Sequence, residues 1–252
     1  MIIKLIVILF VLMLIIGQER GWISFIALFI NGIIMIALVY GIARGINPYV
    51  VSFAASTLIT YITLVYQNGK NVKSISSVIS VIFVMAVLTF VIQWIVNNSH
   101  IGGYSEVVIS DESMYFSTEV GLSMNAVMVC VVLIGLLGAV IDTSITITTA
   151  VYEVHRTNNN LGIKELAQSG RNFGEDILGT MANTLLFAGM GEVLMLFIWI
   201  SRMNNYSFSQ FLNSKAFLQE MIVIIVSNIG CVIVIPVSVL VICYMLKRTE
   251  NE

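Results

Sequence analysis

Apolar residues in this chain come in long runs, separated by short polar or Gly/Asn-rich breaks. Seven runs can be drawn, at about 2–17, 22–41, 49–66, 75–96, 122–150, 179–200 and 219–246. A helix advances about 1.5 Å per residue, so roughly 20 apolar residues cross the hydrocarbon core. Backbone polar groups find no water there, and a helix satisfies all of them within one segment. The pattern therefore predicts an all-α membrane protein, a single polytopic domain over 1–252 built as a bundle of about seven transmembrane helices. The breaks carry turn chemistry: Gly45 and Asn47-Pro48, then Gln67 to Asn71, and later Asn204-Asn205. Between Asn97 and Thr118 the break is longer and acidic.

One stretch departs from plain hydrophobicity. In Leu161 to Gly170, Ile163, Leu166 and Ala167 share a helical face, which predicts a short cytoplasmic amphipathic helix at the membrane surface. A Gly-rich break follows. Asn172 with Glu175 three residues on then fits a capping pattern, so a new helix is expected to start there.

Composition narrows the class. Hydrophobic residues make up 58% and charged residues 10%, against about 25% charged in soluble domains. Net charge is −2, and no basic stripe is present to meet a phosphate backbone, which excludes nucleic acid as a partner. The cysteines Cys130, Cys231 and Cys243 all lie in apolar runs without a CxxC pair and read as packing residues. The N-terminal run looks like a signal-peptide core but lacks a small-residue cleavage site before Gln18-Glu19-Arg20, so it reads as an uncleaved span. No HExxH helix, P-loop or Gly-x-Ser-x-Gly elbow occurs, although Glu153 and His155 lie close together. No enzyme activity, catalytic residue, metal site or cofactor is expected.

Lys and Arg set the orientation. With seven spans and the C-terminus in the cytoplasm, Arg20, Lys70, Lys73, Arg156, Lys164, Arg171, Lys247 and Arg248 fall inside. Lys4, Arg44, Arg202 and Lys215 fall outside. The exported loop then carries Glu106, Asp111, Glu112 and Glu119 and no cation. The expectation is N-terminus outside, C-terminus cytoplasmic.

The chemistry concentrates in the fifth and sixth runs. At helical period, Gly135, Gly138, Asp142, Thr146, Thr149 and Glu153 fall on one face, opposite Leu136, Val140, Ile147 and Val151. Small residues let another helix approach, and hydroxyls can bond across to it. A mid-membrane carboxylate costs several kcal/mol on the stricter scales and usually faces a bundle interior or a wet cavity. The same Asp142 could instead sit solvated near the cytoplasmic interface, since the run to Glu153 is longer than the core. On the sixth run Asp176, Gly179, Thr180 and Asn183 form a second small and polar stripe, expected to meet the first. Glu192 is a second intramembrane acid on the other side of that helix, with no Lys or Arg at matching depth, so a protonated or hydrogen-bonded acid is expected there and not an ion pair. Gln93, Asn228 and the row Ser52, Ser56, Thr60 and Thr63 read as helix-packing groups.

These residues carry a family resemblance. Gly135 to Ile147, reading Gly-Leu-Leu-Gly-Ala-Val-Ile-Asp-Thr-Ser-Ile-Thr-Ile, and the later stretch Ser169 to Leu185 resemble the YibE/F family of bacterial membrane proteins. Thr143-Ser144-Ile145-Thr146 departs from the family's usual Val-Ala-Met-Ser after the aspartate. The resemblance implies a bacterial cell-membrane protein of the second, YibF-like type, with a YibE-like membrane partner beside the lipid bilayer, and supplies no mechanism. The order of mid-helix acid, amphipathic helix, Gly-rich break and new helix is also similar in layout to SecD/SecF and RND-type permeases.

Two functions stay open. One is a component of a transporter or translocation permease, proton-coupled through Asp142. The other is a non-transporting scaffold or assembly subunit that pairs with the YibE-like partner or with a second copy of itself.

Overall fold

The computed structural model describes residues 1–103, 105, 121–158, 161–203 and 207–250. Among these residues there are seven α-helices and no strand. They are α1 (Ile2–Ala43), α2 (Pro48–Tyr61), α3 (Val72–Ser99), α4 (Met124–Thr157), α5 (Ile163–Met203), α6 (Phe208–Leu212) and α7 (Lys215–Glu250). A π-helical segment, Ile62–Tyr66, prolongs α2. Six segments, all but α6, are long and apolar enough to cross a membrane, which makes this a multi-pass membrane protein.

Helix starts follow the sequence. Asn47 accepts a hydrogen bond from the Tyr49 amide at 3.0 Å, with Pro48 in the first turn of α2. Asn71 accepts from the Ser74 amide at 2.9 Å and opens α3. Such caps satisfy amides that have no partner inside the helix. The turns at Gly45 and Gly69 take φ of +81° and +83°, a conformation that glycine adopts without strain.

The two N-terminal runs become the two arms of α1. At Gln18 the backbone leaves helical geometry (φ 48°, ψ −125°) and the arms fold back on each other. Phe10 packs on Trp22 and Phe25, with ring centroids 5.7 and 4.6 Å apart. Gly21 permits the reversal: a Cβ there would lie 1.9 Å from the Met13 carbonyl oxygen. The sixth run is longer than expected. No separate amphipathic helix ends at Gly170 and no helix starts at Asn172, because α5 is continuous from Ile163 to Met203. Asn172 instead accepts from Gln168 at 2.9 Å, and Glu175 accepts from Arg171 at 2.9 Å. The glycines read as a break are contact points. A Cβ on Gly170 would lie 2.7 Å from Val151 and 2.8 Å from Val239, and one on Gly174 would lie 2.4 Å from Ile235. With that break gone, the layout shared with SecD/SecF and RND-type permeases loses its basis.

The core lies between α3, α4 and α7, around Val84, Leu88, Ile92, Leu133, Leu136 and Val140. Helix α4 is central and packs against α2, α3, α5 and α7. A smaller cluster joins α4, α5 and α7 through Ile147, Val151, Leu166, Ile242 and Leu246. The acidic residues Glu106, Asp111, Glu112 and Glu119 of the expected exported loop lie outside the described residues.

Candidate functional site

Helix α4 has two polar sides. On the inward side Thr143, Ser144 and Thr148 are fully buried among apolar residues. Ser144 shares a hydrogen bond with Ser238 of α7 at 2.9 Å, and Thr148 shares one with Ser77 of α3 at 2.6 Å. Thr143 donates to the Ala139 carbonyl at 2.8 Å and reaches the Cys231 sulfur at 3.4 Å. On α3, Ser76 and Ser80 donate to carbonyls four residues back, at 2.7 and 2.8 Å. This hydroxyl seam holds the three central helices together without one buried charge. Small side chains bring the backbones close, and each hydroxyl finds a carbonyl or another hydroxyl where water is absent.

The outward side carries the stripe expected from the sequence. Gly135, Gly138, Asp142, Thr146 and Glu153 are exposed, and Thr149 is half-buried. Asp142 lies near the midpoint of α4, as Cys231 lies near the midpoint of α7. It therefore sits in the middle of its helix and not at an end. Among the described residues its carboxylate makes no hydrogen bond and no ion pair. Thr146 donates to Asp142's own carbonyl at 2.7 Å, which leaves the carboxylate unaided. Glu153 lies 3.9 Å from Arg156 in an exposed pair one turn apart, a contact worth little.

The two stripes do not meet. Helix α5 turns Gly170, Gly174, Gly189 and Val193 toward the bundle and leaves Asp176, Gly179, Thr180 and Asn183 exposed. Thr180 and Thr184 satisfy themselves on carbonyls of their own helix, both at 2.8 Å. Of the glycines expected at helix contacts, Gly135 comes close to α7, its Cβ position 2.9 Å from Val223. Among the described residues no atom lies within 4 Å of the Cβ positions of Gly138 and Gly179, so neither packs against a described helix. Close approach is made instead by Gly170, Gly174, Gly189 and Gly230.

Glu192, on the opposite side of α5 from Asn183, does face a neighbour. That neighbour is α7, whose Glu220 lines the same cavity. The two border a cavity of about 430 Å³ that Gly135 and Gln219 also line. Gln219 donates to the carbonyls of Ile101 and Gly103, at 2.8 and 3.0 Å.

The sequence reading missed Glu220 and the inward seam. Ser144 and Thr148 lie one and two turns beyond Val140, on the side assigned to apolar packing. That spacing was the available signal. Of the row on α2, Ser52, Ser56 and Thr60 are buried, and Thr63 accepts from Asn31 of α1 at 3.1 Å. Among the described residues no group of three or more His, Cys, Asp or Glu side chains is placed to hold a metal.

No curated protein and no solved structure matches this chain significantly. The family model described as YibE/F-like protein matches residues 5–248, nearly the whole chain. A match of that extent covers both stripes, the hydroxyl seam and every membrane helix, and this chain belongs to the YibE/F-like family.

Proposed function

We propose that this chain is a subunit of a complex in the bacterial cell membrane, and that the outward face of α4 receives a helix of a YibE-like membrane partner. The supporting observation is Asp142: an exposed carboxylate in the middle of α4 with no hydrogen bond or ion pair among the described residues, beside a Gly138 that no described residue packs on. Insertion scales charge roughly 2.5–3.5 kcal/mol for an aspartate at the helix centre. A partner hydroxyl, amide or cation offsets this where acyl chains cannot. Gly135 and Gly138 flatten the face above it, so that a second helix comes near enough to bond. The charge bias favours the N-terminus outside and the C-terminus in the cytoplasm, with both arms of α1 counted as crossings.

The test is co-purification from membranes that contain both chains. Gly138→Leu fills the face at a position where an added Cβ meets none of the described residues, and should release the partner. Asp142→Asn keeps the hydrogen-bonding capacity and should retain it. Isolation of a stable monomer from such membranes ends the reading, and capture of a second copy alone replaces the partner with a homo-oligomer.

A second reading rests on the same mid-span acid. In it the assembled complex is a transporter or translocation permease, and Asp142 titrates during proton-coupled cycling. Asp142→Asn separates the two. An intact complex that no longer functions favours transport, whereas full function leaves Asp142 as an assembly residue.

A further inference from the structure

Helix α5 meets the bundle with one side and leaves the other exposed. Asp176, Gly179, Asn183, Phe187, Met190 and Leu194 follow one another at helical spacing on that outer side, and all six are exposed. Between Asp176 and Arg202 the chain carries one charged residue, Glu192, which borders the cavity shared with α7. Asn183 is the middle residue of α5. Gly174 and Gly189, on either side of it, pack on Ile235 and Ile224 of α7. Gly230, between those two, packs on Val140 near the middle of α4. The amide of Asn183 therefore stands at the middle level of the bundle, on the side turned away from it.

The polar groups of the membrane helices differ in what they lack. Thr180 and Thr184, beside Asn183, donate to carbonyls of their own helix. Asn31 donates to Thr63 at 3.1 Å, and Asn228 donates to the Ile224 carbonyl at 2.8 Å. Among the described residues Asn183 makes no side-chain hydrogen bond. An amide without a partner is costly in hydrocarbon, because nothing there replaces the water it gave up. It carries two donors and an acceptor, so two asparagines related by a two-fold axis satisfy each other. Two carboxylates offer no donor and cannot do the same. Copies of one chain inserted the same way bring Asn183 to the same depth. Gly179, one turn earlier, has no atom within 4 Å of its Cβ position and lets a second backbone approach.

We infer that the outer side of α5 is a self-association face, on which two copies of this chain pair in parallel through Asn183, with Gly179 at the closest approach. A single asparagine at a helix interface fixes register and the number of copies. Asp176 limits the pairing. It lies about 10 Å from Asn183 along the helix, at the edge of the apolar stretch, and pairing brings the two Asp176 carboxylates toward each other. Arg171 gives no relief, since it pairs with Glu175 at 2.9 Å. Water and salt at that level screen the repulsion, and removing it strengthens the pair. The face is separate from the side of α4 assigned to the partner, and the inference does not rest on that assignment.

The experiment is energy transfer between donor- and acceptor-labelled copies of the full chain in phosphatidylcholine vesicles, over a series of protein-to-lipid ratios. Transfer above that of random mixing is expected for the unmodified chain. Asn183→Leu should weaken association about tenfold, the scale of an interhelical hydrogen bond between model helices. Its unfolding midpoint in detergent should stay unchanged, because the Asn183 side chain bonds nothing among the described residues. Asn183→Gln keeps donors and acceptor and should retain association, and Asp176→Asn should strengthen it. Gly138→Leu, on α4, should leave it unaltered. Phe187→Cys, one turn along the same face, should cross-link to its counterpart when native membranes are oxidised. Transfer no higher than random mixing overturns the inference, and so does undiminished association of Asn183→Leu. Loss of association in Gly138→Leu would move the contact to α4 and overturn it. A Phe187→Cys cross-link to a different protein would give the face to another chain and overturn it as well.

Discussion

The two sides of α4 handle polar groups in opposite ways. Inward, Thr143, Ser144 and Thr148 are buried and each has a partner on its own helix, on α3 or on α7. Outward, Asp142 stands at the same level of the helix with none among the described residues. Hydroxyls can be satisfied locally, because a carbonyl four residues back is always in reach of a serine or threonine in a helix. A carboxylate only accepts, and every amide along a helix interior is already used. A membrane helix can therefore absorb many hydroxyls without help, but one acid obliges it to find something outside itself. On this reading the inward side is finished by the chain and the outward side is left for another molecule.

That contrast can be broken at four points. The largest effect on stability is expected where α5 meets the bundle. Gly174→Leu places its Cβ 2.4 Å from Ile235, and overpacking of this kind costs about 1–3 kcal/mol. The midpoint of thermal unfolding in detergent should fall, and α5 should become accessible to protease. Next comes the seam: Ser144→Ala removes the bond to Ser238 and should cost about 0.6 kcal/mol, the average for such bonds between membrane helices. A loss no larger than that of an exposed serine on α5 would mean the seam holds nothing.

Outward substitutions should leave the fold alone. A Cβ at Gly138 meets no atom of the described residues within 4 Å, so Gly138→Leu should shift stability by less than about 0.5 kcal/mol, while partner recovery falls sharply. A large drop in the unfolding midpoint would show that the face is covered from within. The smallest effect belongs to Thr146→Val. Its hydroxyl bonds only its own helix, so neither stability nor association should change measurably. Lost association would show that the hydroxyl reaches the partner.

Much of the fold was legible in the sequence, since span length and hydropathy leave few options in a bilayer. Asn47-Pro48 and Asn71 marked real helix starts, because a capping side chain acts within its own turn. Gly170 and Gly174 were misread for the converse reason. A glycine pair looks like a break when seen along the chain, yet here each is the point where another helix comes closest. Whether a glycine ends a helix or admits a neighbour depends on what lies across from it. Gly138 and Gly179 show the same ambiguity in the other direction, with the right spacing for contact and open space beside them.

The sequence by itself determined that this is a multi-pass helical membrane protein and that α4 carries two distinct faces, because periodicity fixes which residues share a side. It did not determine which face turns inward. Polarity alone favours burying the acid stripe, and only the tertiary structure showed that α3 and α7 take the side with serine and threonine. The reason is close packing. Small hydroxyl side chains at Ser77, Ser144 and Ser238 let three helices converge and satisfy themselves as they do so, whereas the Asp142 carboxylate, which needs donors from outside its own helix, stays on the side they leave exposed.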